Sequence, residues 1–304
     1  MQENLIWCRG EVLPESKAMV NVLSPTAQFG MNVFEGIRCY WNPEKQELYA
    51  FRLQEHLERL FDSCYLMGLT SPYQPNEIIK FLKEIILANS FREDLAVRLT
   101  IFGDGKGTWN TVEPLSMFIA PMKKDRQDIN NVRGLQGCIS SWRRISDNVL
   151  PPRAKVGANY MNGRYAHLQA KRDGYDVPIF LGDDGKVSEG AGACLFLIKN
   201  GQLITPAVTS SILESITRNT LMTLATEQGI NVVERSVDRT ELYLADEIFL
   251  CGSAAEITPI THVDKFKIGS GNPGILSCSL LKEYLDIATG EDSRYSEWRT
   301  KVSG

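Results

Sequence analysis

One lysine, Lys155, lies in a constrained stretch, PPRAKVGANYMNG, at residues 151–163. A lysine amine forms a Schiff base only when it is unprotonated, a state that burial or neighbouring cations favour. The residues around it are small and carry little charge, and Pro151 and Pro152 stiffen the chain that leads to it. This pattern is compatible with a covalent anchor for an aldehyde cofactor, although a lysine taken alone is more often an ordinary solvated one.

Three other stretches have chemistry that an aldehyde cofactor with a ring nitrogen and a phosphate would need. Glu189, in VSEGAGACLFLI, offers a carboxylate that could pair with a pyridinium nitrogen and make the ring an electron sink. A serine-rich loop enters a helix near Ile216, where backbone N–H groups and the helix dipole suit a phosphate. The small residues of CGSAAEITPI, 251–260, let backbone N–H groups approach an anion. Taken singly, each stretch also fits a plain turn or helix start.

The bulk composition narrows the class of protein. The chain has 304 residues, 43% of them hydrophobic, and its net charge of −4 gives no basic surface for nucleic acid. No apolar run approaches the ~18 residues of a membrane span, and the N-terminus has no signal-peptide pattern. Seven scattered cysteines and three histidines indicate neither a disulfide framework nor a metal site. We therefore expect a cytoplasmic enzyme without nucleic-acid or membrane partners.

The first part of the chain predicts a small α/β domain over residues 1–121. Apolar residues recur at helical spacing in two segments, and short strand-like runs surround them. The predicted helices cover residues 53–69 and 76–89, and the predicted strands cover 48–51, 96–102 and 116–120. The polar, charge-rich stretch that follows has no periodicity and predicts an interdomain linker over residues 122–134.

The remainder, residues 135–304, predicts a larger C-terminal domain that is rich in strands. A helix over residues 216–228 is followed by Gly229 as its C-terminal stop. The predicted strands cover residues 135–141, 177–181, 194–199, 202–205, 232–236 and 247–250. The predicted fold class is therefore α/β (α+β) with two domains.

Seven short motifs occur in one order along the chain, between residues 33 and 259. They are VFEGIRCY at 33–40, FRLQEHLERL at 51–60, AKVGANY at 154–160, SEGAG at 188–192, SITR at 215–218, YLADEIF at 243–249 and GSAAEITP at 252–259. Each motif is weak alone, but as a collinear set they are specific. The set resembles the class IV pyridoxal-phosphate-dependent aminotransferases, most closely the branched-chain amino acid aminotransferases.

The resemblance implies a two-domain fold type IV enzyme, with a C-terminal pseudo-barrel domain, that binds pyridoxal 5′-phosphate (PLP). It implies that Lys155 forms the Schiff base and then carries the proton between the substrate Cα and the cofactor C4′. Tyr160 would bond the phenolic oxygen, and Glu189 would pair with the ring nitrogen. The phosphate contacts would come from Arg59, the N–H of Ile216, Thr217 and Ser253.

The same resemblance assigns substrate contacts. Ser253 and Ala254 would bind the α-carboxylate through main-chain N–H groups. Arg98 would read the side-chain carboxylate of glutamate, with a surface ion pair as the alternative. Phe34 would line an apolar side-chain pocket, with a plain core position as the alternative. Family members are dimers or multiples of dimers, so the resemblance also implies a homo-oligomer that acts on amino acids and 2-oxo acids.

Some positions depart from the family pattern. Phe29 stands where tyrosine is usual, Ala96 stands where an aromatic is preferred, and Ala193-Cys194 replaces the common Glu/Met-Asn pair. We expect an enlarged substrate pocket, which leaves the preferred amino acid open. On the same fold the alternatives are a D-amino acid or (R)-amine transaminase, an aminodeoxychorismate lyase, and a binding protein without activity. VRLTI lacks the Arg-x-His spacing of the D-amino acid group, and FEGIRCY favours the branched-chain group.

Overall fold

The computed structural model describes residues 3–304, which form two compact units. The first unit takes the chain up to Arg126, together with Ala154–Ala158 and Asp286–Gly304. The second unit takes Gln127–Arg153 and Asn159–Leu285. Within residues 3–304, no helix combines the length and the apolar character that crossing a bilayer would require.

Both strands and helices occur throughout the described chain, which confirms the mixed α/β class. The strands are β1 Leu5–Cys8, β2 Glu11–Pro14, β3 Asn32–Asn42, β4 Glu47–Phe51, β5 Leu95–Gly103, β6 Leu115–Lys123, β7 Leu135–Arg143, β8 Val177–Leu181, β9 Val187–Gly190, β10 Cys194–Lys199, β11 Gln202–Thr205, β12 Asn231–Glu234, β13 Glu247–Gly252, β14 Glu256–Val263, β15 Phe266–Lys267 and β16 Arg299–Ser303. The helices are α1 Pro25–Phe29, α2 Leu53–Leu66, α3 Pro75–Asn89, α4 Tyr160–Arg172, α5 Ile216–Glu227, α6 Arg239–Tyr243 and α7 Ile275–Thr289.

The first unit is built on an antiparallel sheet of seven strands in the order β16-β4-β3-β5-β6-β1-β2. Helix α2 lies against β3, and α3 lies against β1, β6 and β16. The inward residues of the central strands, such as Val33 and Ile37, are fully buried with Leu57 and Leu60 of α2. A strand with one face packed in this way alternates its side chains between two environments, and β3 uses both faces for the candidate site.

The second unit is built on a mixed sheet in the order β12-β11-β10-β13-β14-β7-β8-β9, with β15 paired to β14. Its last strand, β9, returns to the middle of the sheet because a tight turn joins it to β10. In that turn the N–H of Gly190 donates to the carbonyl of Ala193 at 2.8 Å. The sheet therefore curls on itself, as expected for the pseudo-barrel.

The predicted elements are largely confirmed, including α5 and its stop at Gly229, which has φ 75°. The first predicted helix ends three residues earlier than expected, at Leu66, because Gly68 adopts a left-handed conformation with φ 65°. Two long helices, α4 and α7, were not predicted.

The domain limits inferred from the sequence stay a prediction, and the compact units differ from them. Residues 286–304 belong to the first unit because β16 pairs with β4 at the edge of its sheet. The polar stretch 122–134 is anchored in each unit separately. Arg126 donates from Nε and Nη2 to Asp94 of the first unit at 2.6 and 2.7 Å, whereas Gln127 bonds residues of the second unit.

Candidate active site

The backbone of Lys155 is fixed on both sides. Strand β4 pairs with β3 only from Cys39 onward, so the first half of β3 has an uncovered edge. At that edge the N–H of Phe34 donates to the carbonyl of Lys155 at 3.0 Å. The N–H of Lys155 in turn donates to Oγ of Ser63 in α2, also at 3.0 Å. The lysine is thus held between a strand and a helix rather than on a loose loop.

The side chain of Lys155 shares an aromatic neighbour with Arg98. Its Nζ lies 5.2 Å from the centroid of the Phe34 ring, and Cζ of Arg98 lies 4.1 Å from the same centroid. Both distances allow a cation to be attracted by the ring face. Phe34 is buried, whereas Arg98 is exposed to solvent. The structure therefore brings the predicted lysine, pocket aromatic and arginine together.

The sheet face that carries these side chains has open space. Gly36 lies opposite Arg98 in the pairing of β3 with β5, and a Cβ added to Gly36 would meet no heavy atom within 4 Å. Ala96, two residues before Arg98 on β5, presents only a methyl group to the same face. These small residues leave room beside the cations for a substrate side chain.

The opposite face of β3 carries a buried carboxylate to which the sequence reasoning gave no role. Glu35 is fully buried and faces α2. Nε and Nη2 of Arg59 each donate to it at 2.8 Å, and Nδ1 of His56 lies 2.7 Å from Oε2. Residues 56, 59 and 63 are three and four apart, so they share one helix face. The predicted phosphate ligand Arg59 is therefore held by a two-point ion pair.

The protonation states of Glu35 and His56 follow from their burial and from the charged groups that they contact. Burial by itself would raise the pKa of Glu35, but the charges and hydrogen bonds of Arg59 and His56 outweigh it and hold that pKa well below its usual range. Burial lowers the pKa of His56, Glu35 only partly restores it, and Arg59 and Lys155 lower it further. The group is best described as an ionised carboxylate, a guanidinium cation and a neutral imidazole whose Nδ1–H donates to Glu35.

In the second unit, Glu189 is the second buried carboxylate of interest. It is 3% exposed, and Nη2 of Arg144 lies 2.8 Å from its Oε1. Its Oε2 accepts from the N–H of Leu213 at 3.4 Å and from the thiol of Cys194 at 3.8 Å. Arg144 follows β7 directly and balances the charge of the carboxylate. Sequence reasoning missed Arg144, because a lone arginine after a strand has no distinguishing pattern.

Tyr160 is the first residue of α4 and is 38% exposed. The helix approaches the turn after Glu189 closely, since a Cβ at Gly163 would lie only 2.7 Å from the carbonyl oxygen of Ala191. Only glycine fits there without a shift. One turn earlier in the helix, the Tyr160 ring would lie 3.7 Å from a Cβ added at Gly192. Gly163 thus allows Tyr160 to lie beside the segment that carries Glu189.

The remaining predicted ligands lie at a helix start and in a hairpin turn. Helix α5 begins at Ile216, with Ser215 as its N-cap, whose side chain accepts from the N–H of Arg218 at 3.2 Å. Thr217, in the first turn, is buried. Ser253 and Ala254 lie in the turn that joins β13 to β14, and Ala254 is exposed. Backbone N–H groups in both places are suitable anion donors.

Each unit, taken by itself, contains residue types that suit parts of PLP. The first unit holds a partly buried lysine for the aldehyde and an oriented arginine for the phosphate. The second unit holds a buried carboxylate for the ring nitrogen and a helix start for the phosphate. The side chains present fit the cofactor, and the individual roles stay proposals.

Comparison with known proteins places these features in context. The amino-transferase class IV family matches residues 32–263. The chain is 37% identical over 295 residues to the probable branched-chain-amino-acid aminotransferase of Aquifex aeolicus, covering 96% of this chain and 95% of that protein. It is similar to the branched-chain amino acid aminotransferase of Thermobaculum terrenum in its PLP form, with a TM-score of 0.93, 40% identity and 99% of each chain covered. A T.th. branched-chain amino acid aminotransferase complexed with N-(5′-phosphopyridoxyl)-L-glutamate gives a TM-score of 0.94 at 33% identity, with 100% of each chain covered.

Proposed function

The chain belongs to the amino-transferase class IV family, and we propose that it transfers the amino group of branched-chain and related hydrophobic L-amino acids to 2-oxoglutarate. It is an aminotransferase that uses PLP, and its activity is the transamination of branched-chain amino acids. The observation that carries the choice of substrates is the arrangement around Phe34. One open sheet face offers an aromatic wall for an apolar side chain and, at Arg98, a cation for the side-chain carboxylate of glutamate. The structure of the relative in complex with N-(5′-phosphopyridoxyl)-L-glutamate supports the pair of glutamate and 2-oxoglutarate as the second substrate and product.

The cofactor is held by residues whose chemistry matches its parts. Lys155 binds the aldehyde, Tyr160 bonds the phenolic oxygen and Glu189 pairs with the ring nitrogen. Arg59 and the N–H groups near the start of α5 hold the phosphate, with help from Ser253. Glu35 keeps Arg59 oriented before any ligand arrives, and Arg144 does the same for Glu189. Such preorganisation lowers the ordering that binding would otherwise require.

The bound cofactor supplies an electron sink for negative charge at the substrate Cα. Lys155 then moves the proton, taking it from Cα and delivering it to C4′ of the cofactor. The hydrogen bond from its N–H to Oγ of Ser63 fixes the backbone of Lys155, which limits the positions that Nζ can take. Main-chain N–H groups of Ser253 and Ala254 bind the α-carboxylate. After the hydrophobic 2-oxo acid has left, Arg98 binds the side-chain carboxylate of 2-oxoglutarate, which accepts the amino group and leaves as glutamate.

An absorption experiment tests this function. Addition of L-leucine, L-isoleucine or L-glutamate to the PLP-loaded enzyme should remove the absorption band near the visible edge, and 2-oxoglutarate should restore it. D-alanine and (R)-1-phenylethylamine serve as controls for the two other transaminase classes. A response to these controls with none to any L-amino acid would overturn the proposal. Release of pyruvate from aminodeoxychorismate would instead identify a lyase.

We also propose that the enzyme assembles as a homodimer or a multiple of dimers. Helix α4 carries Met161, Tyr165 and Leu168 on one face, and Trp142 stacks on Tyr165 with 5.0 Å between ring centroids. These four side chains are 46–50% exposed, and an exposed apolar face of this kind is typical of a contact surface. Light scattering coupled to size exclusion should give at least twice the 34.1 kDa chain mass, and a monomer would contradict the proposal. A cytoplasmic location stays a prediction.

A further inference from the structure

Gln127 makes an unusual number of contacts for a residue in a polar connecting segment. Its Nε2 donates to the carbonyl of Ala255 at 2.7 Å and to that of Ile257 at 2.9 Å, and it approaches Oγ1 of Thr258 at 3.4 Å. Its backbone N–H donates to Oε2 of Glu256 at 2.8 Å. One residue therefore contacts four consecutive positions, the last residue of the turn and the first three residues of β14.

The segment that Gln127 holds requires external support. Glu256 has φ 49°, a left-handed conformation that costs free energy in a residue with a Cβ. It is also buried, and it pairs with Gly252 across the hairpin. The two carbonyls bonded by Nε2 of Gln127 lie immediately before and after Glu256. Gln127 therefore restrains the backbone on both sides of the strained residue.

This restraint acts on the turn next to it. Only Ser253, Ala254 and Ala255 separate Gly252 from Glu256, so the conformation of Glu256 sets the direction of the turn's N–H groups. Thr258 helps, since its Oγ1 donates to the carbonyl of Ala255 at 2.7 Å. That bond lies within the hairpin, however, and cannot fix it against the segment that carries Gln127.

We propose that Gln127 is a positioning residue for the substrate α-carboxylate, because it holds the turn of Ser253 and Ala254 in the shape that presents their N–H groups. This inference rests on the proposed function, which assigns the α-carboxylate to that turn. Donors fixed in advance bind a carboxylate better than donors that must be ordered on binding. A side chain of this length with N–H donors is required at position 127, since both carbonyls accept from Nε2.

The test compares Gln127→Glu, which keeps the side-chain size but removes the donors, with Asp125→Asn, an exposed position in the same stretch. The probe is 4-methylvalerate, the carbon skeleton of leucine without its amino group, titrated spectroscopically into PLP-saturated enzyme. Gln127→Glu should raise its dissociation constant about tenfold, equivalent to ~1.4 kcal/mol. The KM for L-leucine should rise similarly while kcat stays within about twofold, as expected when ground-state and transition-state binding are lost equally. Asp125→Asn should match the wild type.

Two outcomes distinguish the inference from the function on which it rests. If the wild type binds 4-methylvalerate and transaminates leucine, but Gln127→Glu binds the probe as tightly, the role of Gln127 is refuted. If the wild type does neither, the proposed function itself fails. Gln127→Asn provides a second variant, because it keeps the amide but is too short to reach both carbonyls. Gln127→Asn should also bind 4-methylvalerate more weakly than the wild type does. Binding as tight as that of the wild type would refute the inference.

Discussion

Replacing Glu35 with glutamine tests whether the buried ion pair supports the candidate cofactor site. The carboxylate is fully buried and accepts two bonds from Arg59 and one from His56. Glutamine has nearly the same shape, but it retains one acceptor oxygen and places an amide donor against other donors. Loss of two hydrogen bonds to charged groups, at ~1.5–3 kcal/mol each, leaves Arg59 without its buried counter-charge. We expect the free energy of unfolding to fall by about 3–5 kcal/mol, as for other buried pairs that lose one partner.

The same substitution should weaken cofactor binding, because Arg59 keeps at most one of the two contacts that orient it. We expect the dissociation constant of PLP to rise by one to two orders of magnitude, about 1.4–2.8 kcal/mol. The two measurements are denaturant unfolding of the cofactor-free chain and a fluorescence titration with PLP. Both are made on the purified protein and need no turnover.

The control and the pH dependence sharpen this prediction. Glu58→Gln changes an exposed glutamate of the same helix, and its effect should stay within ~0.5 kcal/mol. Because the pKa of Glu35 is lowered from 4.5, its stabilising contribution is present above that pH and is lost as the pH falls further. The stability difference between wild type and Glu35→Gln should therefore shrink in acid. Equal stability and equal PLP affinity at pH 7 would refute the proposed role of the pair.

Three other predictions concern single residues. Lys155→Ala should abolish transamination yet keep weak, non-covalent PLP binding, and retained turnover in a steady-state assay would show that another group carries the proton. Arg98→Ala should raise KM for 2-oxoglutarate at least about tenfold more than KM for L-leucine. Equal changes in the two KM values would show that Arg98 does not bind the side-chain carboxylate. His56→Asn keeps a donor to Glu35 but does not titrate. Since burial lowers the pKa of His56 from 6.5, wild-type stability should fall as the pH drops through that value, and the variant should lose this slope; identical slopes in denaturant unfolding would contradict the assignment.

The sequence was sufficient for much of the fold and for the type of chemistry. Most elements with strong local periodicity, such as α3 and α5, were located to within one or two residues. Helix α4 was missed because it follows a proline- and glycine-containing stretch and has Gly163 in its first turn. The structure explains that glycine by its close approach to Ala191, a contact that no local pattern reports.

Partners of the site residues were harder to predict than the residues themselves. Arg59 was identified by its motif, and its spacing from His56 and Ser63 already places the three on one helix face. The common partner of Arg59 and His56 is Glu35, which lies 24 residues before Arg59 on a strand. Such a pairing depends on tertiary packing, and a carboxylate in an apolar strand could equally have faced solvent.

The alternation of β3 connects the two halves of the site in the first unit. Phe34 faces the cations Lys155 and Arg98, and the next residue, Glu35, faces Arg59 and His56. Since successive side chains of a strand point to opposite faces, the register of β3 fixes both groups at once. A slip of one residue would bury the aromatic against α2 and expose the carboxylate beside the lysine. The buried ion pair makes that slip costly, so it secures the position of Phe34 beside Lys155 and Arg98 as well as the orientation of Arg59.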